Sequence, residues 1–312
     1  MAARGPSGED LTIDIGWLGS GSPQHALVHS SGIHGVEGFA GSAIQLQLLE
    51  EPPKLPPDTA VLFTHILNPF GMAWLRRANE NNVDLNRNFI PDGHYEGIPP
   101  HYEAIDTHLS RGPLYTRAIT AFMRYGVSIS LQAVAGGQYE FPQNLFYGGK
   151  QLEPGLEKYY AFLKQNLASA RRALGIDVHT GIGRFSRDLL IVERDYDSLR
   201  QIFGSHVTLS QPKHLPAYRI RGSHHELFIS ALSHAQPRFL MQEFGTYNPV
   251  KVFRALREEN QSHHNGAALD HVTKETLKET FCPTSETWRQ RVLLRGQEVF
   301  DQALQELGTL RN

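Results

Sequence analysis

The sequence predicts an α/β fold in which helices pack on a mostly parallel central sheet. Three observations carry this expectation. Ala60-Val61-Leu62-Phe63-Thr64-His65-Ile66-Leu67 is a near-continuous apolar run, the pattern of a strand covered on both faces. Short strand-like segments at 26–30, 176–179 and 238–244 alternate with longer helical ones at 37–51, 155–174 and 288–310. The first two of those strands run into glycines, at Gly32 and at Gly181 and Gly183, where the backbone can turn sharply.

In chain order, residues 1–10 read as a loose tail, followed by one domain over 11–312. After the strand at 26–30 comes a glycine-spaced turn, Gly32-Ile33-His34-Gly35-Val36-Glu37-Gly38. The helix over 37–51 takes its apolar residues from Ile44, Leu46, Leu48 and Leu49. Pro52-Pro53-Lys54-Leu55-Pro56-Pro57 cannot continue a helix and must be a surface connection. The strand at 60–67 ends in the turn Asn68-Pro69-Phe70-Gly71. Residues 91–113 hold Pro, Gly and His, are too long for a simple connector, and read as a functional loop. Residues 114–125 and 155–174 read as helices, and 288–310 as the closing helix.

Composition narrows the function classes. A formal charge of −2 lacks the basic surplus of a protein that binds nucleic acid by neutralising phosphates. The one cysteine, Cys282, excludes an intramolecular disulfide framework and a cysteine zinc cluster. No apolar run approaches the roughly 20 residues that cross a bilayer. No apolar segment near Met1 suggests a secretory signal, so the expected setting is cytoplasmic, with no membrane partner.

His34-Gly35-Val36-Glu37 is the one His-x-x-Glu in the chain, and random placement alone gives about one such pattern. Its position adds information. It follows a strand and opens a helix, where open α/β sheets place ligands, and glycines on both sides permit close approach to an ion. Imidazole and carboxylate are good zinc ligands, but two are too few. The same residues also fit a plain helix N-terminus that favours Glu37. Asp177-Val178-His179-Thr180-Gly181 offers a third ligand at another strand end. Strand alternation puts Asp177 and His179 on one side, where Asp177 can orient an imidazole. Together these residues fit a His₂Glu set with one open position, the set of a hydrolytic zinc site.

Between the two halves lies a dense polar run: Arg76-Arg77, then Asn79-Glu-Asn-Asn-Val-Asp84-Leu-Asn86-Arg87-Asn88-Phe89. Such a mixture suits neither a core nor a plain solvated loop, and it also fits a loop held by Asn side-chain turns. Arginine's fork matches a carboxylate or a developing oxyanion.

His34-x-x-Glu37, Asn68-Pro-x-Gly71, Asp84-x-Asn86-Arg87-Asn88, His179 and Glu243 occur in the order found in zinc metallocarboxypeptidases, and the chain resembles that superfamily. The segments 77–89, Gly137-Gln-Tyr-Glu-x-Pro and Leu145-Phe-Tyr-Gly-Gly149 are similar to a largely bacterial branch grouped as a domain of unknown function, related to aspartoacylases and succinylglutamate desuccinylases. The resemblance runs from about residue 25 to 250. It implies a three-layer α/β/α fold with a mixed, roughly eight-stranded sheet and one Zn²⁺ held by His34, Glu37 and His179. It further implies Glu243 as the catalytic glutamate, Arg77 (or its neighbour Arg76) as the oxyanion donor, and Asn86 and Arg87 as the pair holding a substrate carboxylate. Asp84 becomes the partner of His34. Tyr218 stands only roughly where other members keep a mobile tyrosine.

The remaining motifs are quiet. His224-His225 and His263-His264 read as polar surface or cap residues, and Cys282 has no base nearby in sequence. A Gly-x-Ser-x-Gly elbow and a Walker loop are both absent. The expected function is a zinc-dependent hydrolase of metallocarboxypeptidase type, cleaving an amide beside a free carboxylate in a small peptide. A deacylase of N-acyl amino acids is the alternative, and a non-catalytic zinc- and carboxylate-binding protein the third.

Overall fold

The computed structural model describes residues 3–110, 114–210 and 219–308. Seven strands, β1 (Asp14–Gly19), β2 (His25–Ser31), β3 (Thr59–His65), β4 (Arg172–Gly181), β5 (Asp188–Val192), β6 (Val207–Leu209) and β7 (Pro237–Gly245), form one sheet in the order β1-β3-β2-β4-β7-β5-β6. The four central strands, β3, β2, β4 and β7, are mutually parallel. β1 joins β3 and β5 joins β7 in antiparallel fashion, so the sheet is mixed. The resemblance implied roughly eight strands; the described residues form seven.

Alternation along the central strands sorts their side chains between two faces. Leu27, Val61, Phe63, Leu174, Ile176 and Leu240 pack against the helices Gly38–Glu50 and Glu286–Gly308. Ala26, Val28, Ala60, Leu62, Ala173 and Phe239 face the other way, onto the helices Pro154–Asn166 and His224–Ala231. Both faces are therefore covered, which is why these strands read as continuous apolar runs. The result is the expected α/β/α sandwich, a carboxypeptidase-like architecture.

β2 passes to β3 on one side and β4 lies on its other side, so the chain departs in opposite directions from two adjacent parallel strands. That switch point opens a crevice at the strand carboxyl ends. A small helical group, Tyr102–Ser110, Leu114–Tyr125 and Val127–Ala135, sits between β3 and β4 in sequence and packs around Ile105, Leu109, Ala121 and Ala133. Part of 91–113 is thus helical rather than loop. The spacing of buried Tyr102, Ile105 and Leu109 already had the helical period. The helix expected over 155–174 stops at Asn166, because β4 begins at Arg172. At the sheet's far side, the Trp288 indole donates to the Gly245 carbonyl (3.0 Å), pinning the end of β7 just beyond Glu243. Among the described residues no helix is long and apolar enough to cross a membrane. Arg4 and Asp10 pair in an isolated bridge, and the Trp74 indole donates to the Arg4 carbonyl.

Candidate metal centre and active site

The first arm of the site begins where β2 ends. His34 precedes a single 3₁₀ turn, Gly35–Glu37, which runs directly into the helix Gly38–Glu50. Gly35 packs so closely on Gly71 that a Cβ there would lie 2.1 Å from the Gly71 carbonyl carbon. That contact allows the Gly35 and Val36 amides to donate to the carbonyls of Arg77 (3.2 Å) and Arg76 (2.8 Å). Asn68 supports the same junction. Its Oδ1 accepts from the Gly71 amide (2.8 Å), and its Nδ2 donates to the Arg77 carbonyl (3.0 Å). The Asn-Pro-x-Gly motif is therefore a device that lays the two arginines beside the His34 turn.

The second arm is the end of β4. Asp177 and His179 share a side, and His179 Nε2 lies 2.8 Å from Asp177 Oδ2. Glu37 joins the arms: its Oε1 is 3.0 Å from His34 Nδ1 and its Oε2 is 3.3 Å from His179 Nδ1. All three side chains are buried, and their donor atoms lie within 4.8 Å of one another.

These residues fit a zinc ion. Donors at 2.0–2.1 Å in a tetrahedron stand about 3.3 Å apart, close to the two separations above. His34 Nδ1 is buried with no hydrogen-bond partner, so its approach to Glu37 is one that a shared cation would relieve. Charge points the same way. The described residues place three buried carboxylates, Glu37, Asp84 and Asp177, and the carboxyl of Glu243 near the guanidinium groups of Arg77 and Arg87, so acidic groups outnumber the arginines. Burial alone would lower the pKa of His179, but Asp177 and Glu37 outweigh it and push it up to about 10. Burial would raise the pKa of Glu37, yet His34, His179 and Arg77 hold it well below the carboxylate range. The pocket demands positive charge.

Arg77 and not Arg76 faces this centre. Arg77 donates from Nε to Asp84 Oδ2 (2.9 Å) and from Nη1 to Glu37 Oε1 (3.0 Å). Its Nη2 lies 2.7 Å from His34 Nε2, and Asp84 Oδ1 lies 3.2 Å from the same nitrogen. The two contacts suit opposite tautomers. Only the one with its hydrogen on Nε2, directed to Asp84, leaves Nδ1 as a ligand. Arg76 instead meets Glu259, Asn82 and Asn260 in a separate buried network.

Glu243 stands in register with His179 across the parallel β4–β7 pair. Its Oε1 accepts from the Ile182 amide (2.8 Å). Burial first, then the charge of Glu37, raise its pKa to about 7, against the pull of His179, the Ile182 N–H and Arg77. A carboxyl poised near neutrality is suited to general acid–base work.

Asn86 and Arg87 are buried beside the centre. Asn86 Oδ1 accepts from the His224 amide (2.8 Å). Arg87 donates from Nε and Nη2 to the Ala135 carbonyl (3.2 and 2.8 Å) and from Nη1 to the Asn86 carbonyl (2.8 Å). Both guanidinium groups lie over the Phe146 ring, 5.1 Å from its centroid for Arg77 and 5.6 Å for Arg87. The segments 137–142 and 145–149 build this cradle: the Tyr147 carbonyl accepts from the Asp84 amide, and the Tyr139 hydroxyl donates to the Arg87 carbonyl. Tyr218 lies outside the described residues.

His224-His225 departs from the surface reading, since both are buried. Ser223 and Glu226 form a reciprocal capping box, which places the pair in the first turn of the helix His224–Ala231. The Ser-x-x-Glu spacing was the available signal. His224 Nδ1 lies 2.9 Å from Asp177 Oδ2. His263 and His264 close the helix Pro249–His264.

A potential metal-binding triad of two histidines and a glutamate, set in a carboxypeptidase-like fold, is consistent with a metal-dependent hydrolase. Residues 1–295 match the family described as "Protein of unknown function (DUF2817)". No curated protein matches the chain. Among solved structures, the chain is similar to carboxypeptidase A from Helicoverpa armigera, with 13% identity over 96% of this chain and 66% of that one, and a TM-score of 0.46. It therefore spans just under two thirds of that protein's length. It is also similar to the murein-tripeptide amidase MpaA from Escherichia coli O157, with 16% identity over 90% of this chain and 91% of that one, at a TM-score of 0.41. An aspartoacylase family protein from Mesorhizobium loti shows 13% identity over 82% of this chain and 60% of that one, at 0.36.

Proposed function

The chain belongs to the DUF2817 family, and we propose that it is a zinc-dependent amide hydrolase acting beside a free carboxylate, with residues 11–312 as one hydrolase domain. One observation carries this reading. Glu37 presents its two oxygens to the Nδ1 atoms of His34 and His179, and Glu243 stands beside His179 with its pKa raised to about 7. This arrangement supports Glu243 as the base beside the three ligand residues.

His34, Glu37 and His179 would hold one zinc, whose chemistry is that of a Lewis acid supplying hydroxide near neutral pH. Asp84 and Asp177 fix the imidazole tautomers, each accepting from Nε2. Glu243 takes the proton of the attacking water and returns it to the leaving amine. Arg77 donates to the oxyanion that develops on the substrate carbonyl, a role that requires Nη1 to exchange its bond to Glu37, and Nη2 its place beside His34, for the substrate. Three of the five N–H groups of Arg87 are given to carbonyls, and the two that remain can take a substrate carboxylate.

The test is elemental analysis of dialysed protein together with a panel of small peptides and N-acyl amino acids. The expected result is one zinc per chain, lost in a His34→Ala, His179→Ala double variant, and hydrolysis that stops on chelation and returns with zinc. The panel separates peptidase from deacylase. Hydrolysis that persists in verified metal-free protein, or zinc retained by the double variant, would overturn the proposal.

A further inference from the structure

We infer that His224, which lies one residue away from His179 through Asp177, is a positioning residue that locks the two arms of the metal site together. The inference rests on the metal reading above and concerns a residue outside that ligand set. It starts from Asp177, which is fully buried. Asp177 Oδ1 accepts from the Ser30 hydroxyl (2.8 Å), while Oδ2 is shared between His179 Nε2 (2.8 Å) and His224 Nδ1 (2.9 Å). Three donors from β2, β4 and the helix His224–Ala231 therefore fix one carboxylate in rotation and tilt.

The tautomer of His224 follows from its surroundings. Its Nε2 is buried with no hydrogen-bond partner, and its ring packs edge-on to Phe239 (centroids 5.3 Å apart) and against Tyr159 (5.8 Å). A hydrogen on Nε2 would go unpaired, whereas one on Nδ1 meets Asp177, so the Nδ1–H form costs least. His224 is then a donor to Asp177, and Asp177 keeps its acceptor character toward His179. That leaves His179 Nδ1 bare on the side of Glu37.

The backbone of His224 completes the link. Its amide donates to Asn86 Oδ1 (2.8 Å), and the Asn86 amide donates to Asp84 Oδ1 (3.0 Å). Asp84 Oδ1 is the atom that faces His34 Nε2. A continuous path thus runs from His34 through Asp84, Asn86, His224 and Asp177 to His179. It joins two segments, 84–87 and 223–231, that are far apart in sequence. Asn86 Oδ1 is engaged in this brace, so the side chain meets substrate through Nδ2.

The test measures zinc affinity by chelator competition, without reference to any substrate. Partners that orient metal ligands typically contribute 10–100-fold to affinity, so His224→Phe, which keeps a ring but no donor, should weaken zinc by about 10-fold. His224→Asn, whose amide can reach from the Nδ1 position, should stay within about 2-fold of wild type. Asn86→Ala should weaken zinc as well, and the His224→Phe, Asn86→Ala pair should lose less than the product of the single losses, because both lie on one path. Circular dichroism identifies any variant that does not fold. If His224→Phe does not, Asn86→Ala and His224→Asn decide the matter. Unchanged affinity in the folded Phe and Ala variants, or equal weakening by Phe and Asn, would overturn the brace alone. A wild type that binds no zinc would overturn the metal reading, and the brace with it.

Discussion

Arg76 and Arg77 are neighbours in sequence, and their carbonyls hold the same turn of chain. Their side chains nevertheless serve different parts of the molecule. Arg76 donates to Glu259 Oε1 (3.0 Å), Asn82 Oδ1 (2.8 Å) and Asn260 Oδ1 (3.0 Å), and Lys274 binds the same Glu259 oxygen. Burial lowers the pKa of both cations, and Glu259 works against that. Every partner of Arg76 in this set belongs to a fixed network between the arginine turn and two late helices. Arg77 instead lies against Glu37 and His34 of the candidate metal triad and against Asp84, which faces His34. The difference separates an arginine that closes a network from one that faces the candidate metal centre.

The largest expected effect tests the first half of that contrast. Arg76→Met leaves Asn82 and Asn260 short of a donor and removes one of two cations from a buried carboxylate. Breaking such a pair costs about 3–5 kcal/mol. Denaturant unfolding should show this loss equally with zinc and with chelator, while kcat per folded molecule stays near wild type. A large fall in kcat with stability intact would reverse the roles of the two arginines.

Arg77→Met should behave oppositely. Loss of a well-placed oxyanion donor costs about 10²–10³-fold in kcat, or roughly 2.7–4 kcal/mol. Its stability cost should be small with zinc bound and larger after chelation, because Glu37 and Asp84 then lose both compensating charges. Equal destabilisation in the two conditions would place Arg77 in the same class as Arg76.

Glu243 carries the contrast across the sheet, as another buried ionisable group beside the candidate centre. Glu243→Gln should keep zinc and fold while turnover falls at least about 10²-fold. The pH dependence has a definite sign. The folded carboxyl is raised from 4.5 to about 7, chiefly by burial. In metal-free protein its contribution to stability is therefore full below pH 4.5 and is lost as pH rises through about 7. Over that window metal-free wild type should lose stability relative to metal-free Glu243→Gln. Parallel stability curves for the two proteins would show that another group titrates there.

The candidate metal triad was legible in the sequence because each half sits at a strand end, next to glycine, with its own short-range spacing. Arg76 and Arg77 were not separable, since their directions depend on the Gly35–Gly71 contact, which no local pattern encodes. His224 reads as a surface or cap residue in the sequence because its partner, Asp177, is 47 residues away. The outer strands β1, β5 and β6 were missed for a different reason. They lie toward the sheet's edges, and each is short, only part-buried or both, so no long apolar run announces them.

The smallest effect concerns Arg87, which shares features with both arginines above. Like Arg76 it is buried and gives donors to fixed partners, the Ala135 and Asn86 carbonyls. Like Arg77 it lies by Phe146, on the side of the candidate centre. Gly137 approaches its side chain so closely that a Cβ there would lie 2.9 Å from Arg87 Cδ, which leaves the guanidinium little freedom to swing away. A fork held in this way can meet a carboxylate with two parallel hydrogen bonds, which an ammonium cannot reproduce. Arg87→Lys should therefore weaken substrates with a free carboxylate by roughly 1.5–3 kcal/mol, the range for hydrogen bonds to charged groups. Amidated analogues of the same substrates lack the anion, should already be poor, and should change little. Steady-state kinetics on one matched acid and amide pair, in wild type and Arg87→Lys, measures the difference directly. A loss confined to the acid assigns Arg87 to substrate anchoring beside Arg77. An equal loss on both members, with lowered stability, assigns it to the cradle and moves it to the side of Arg76.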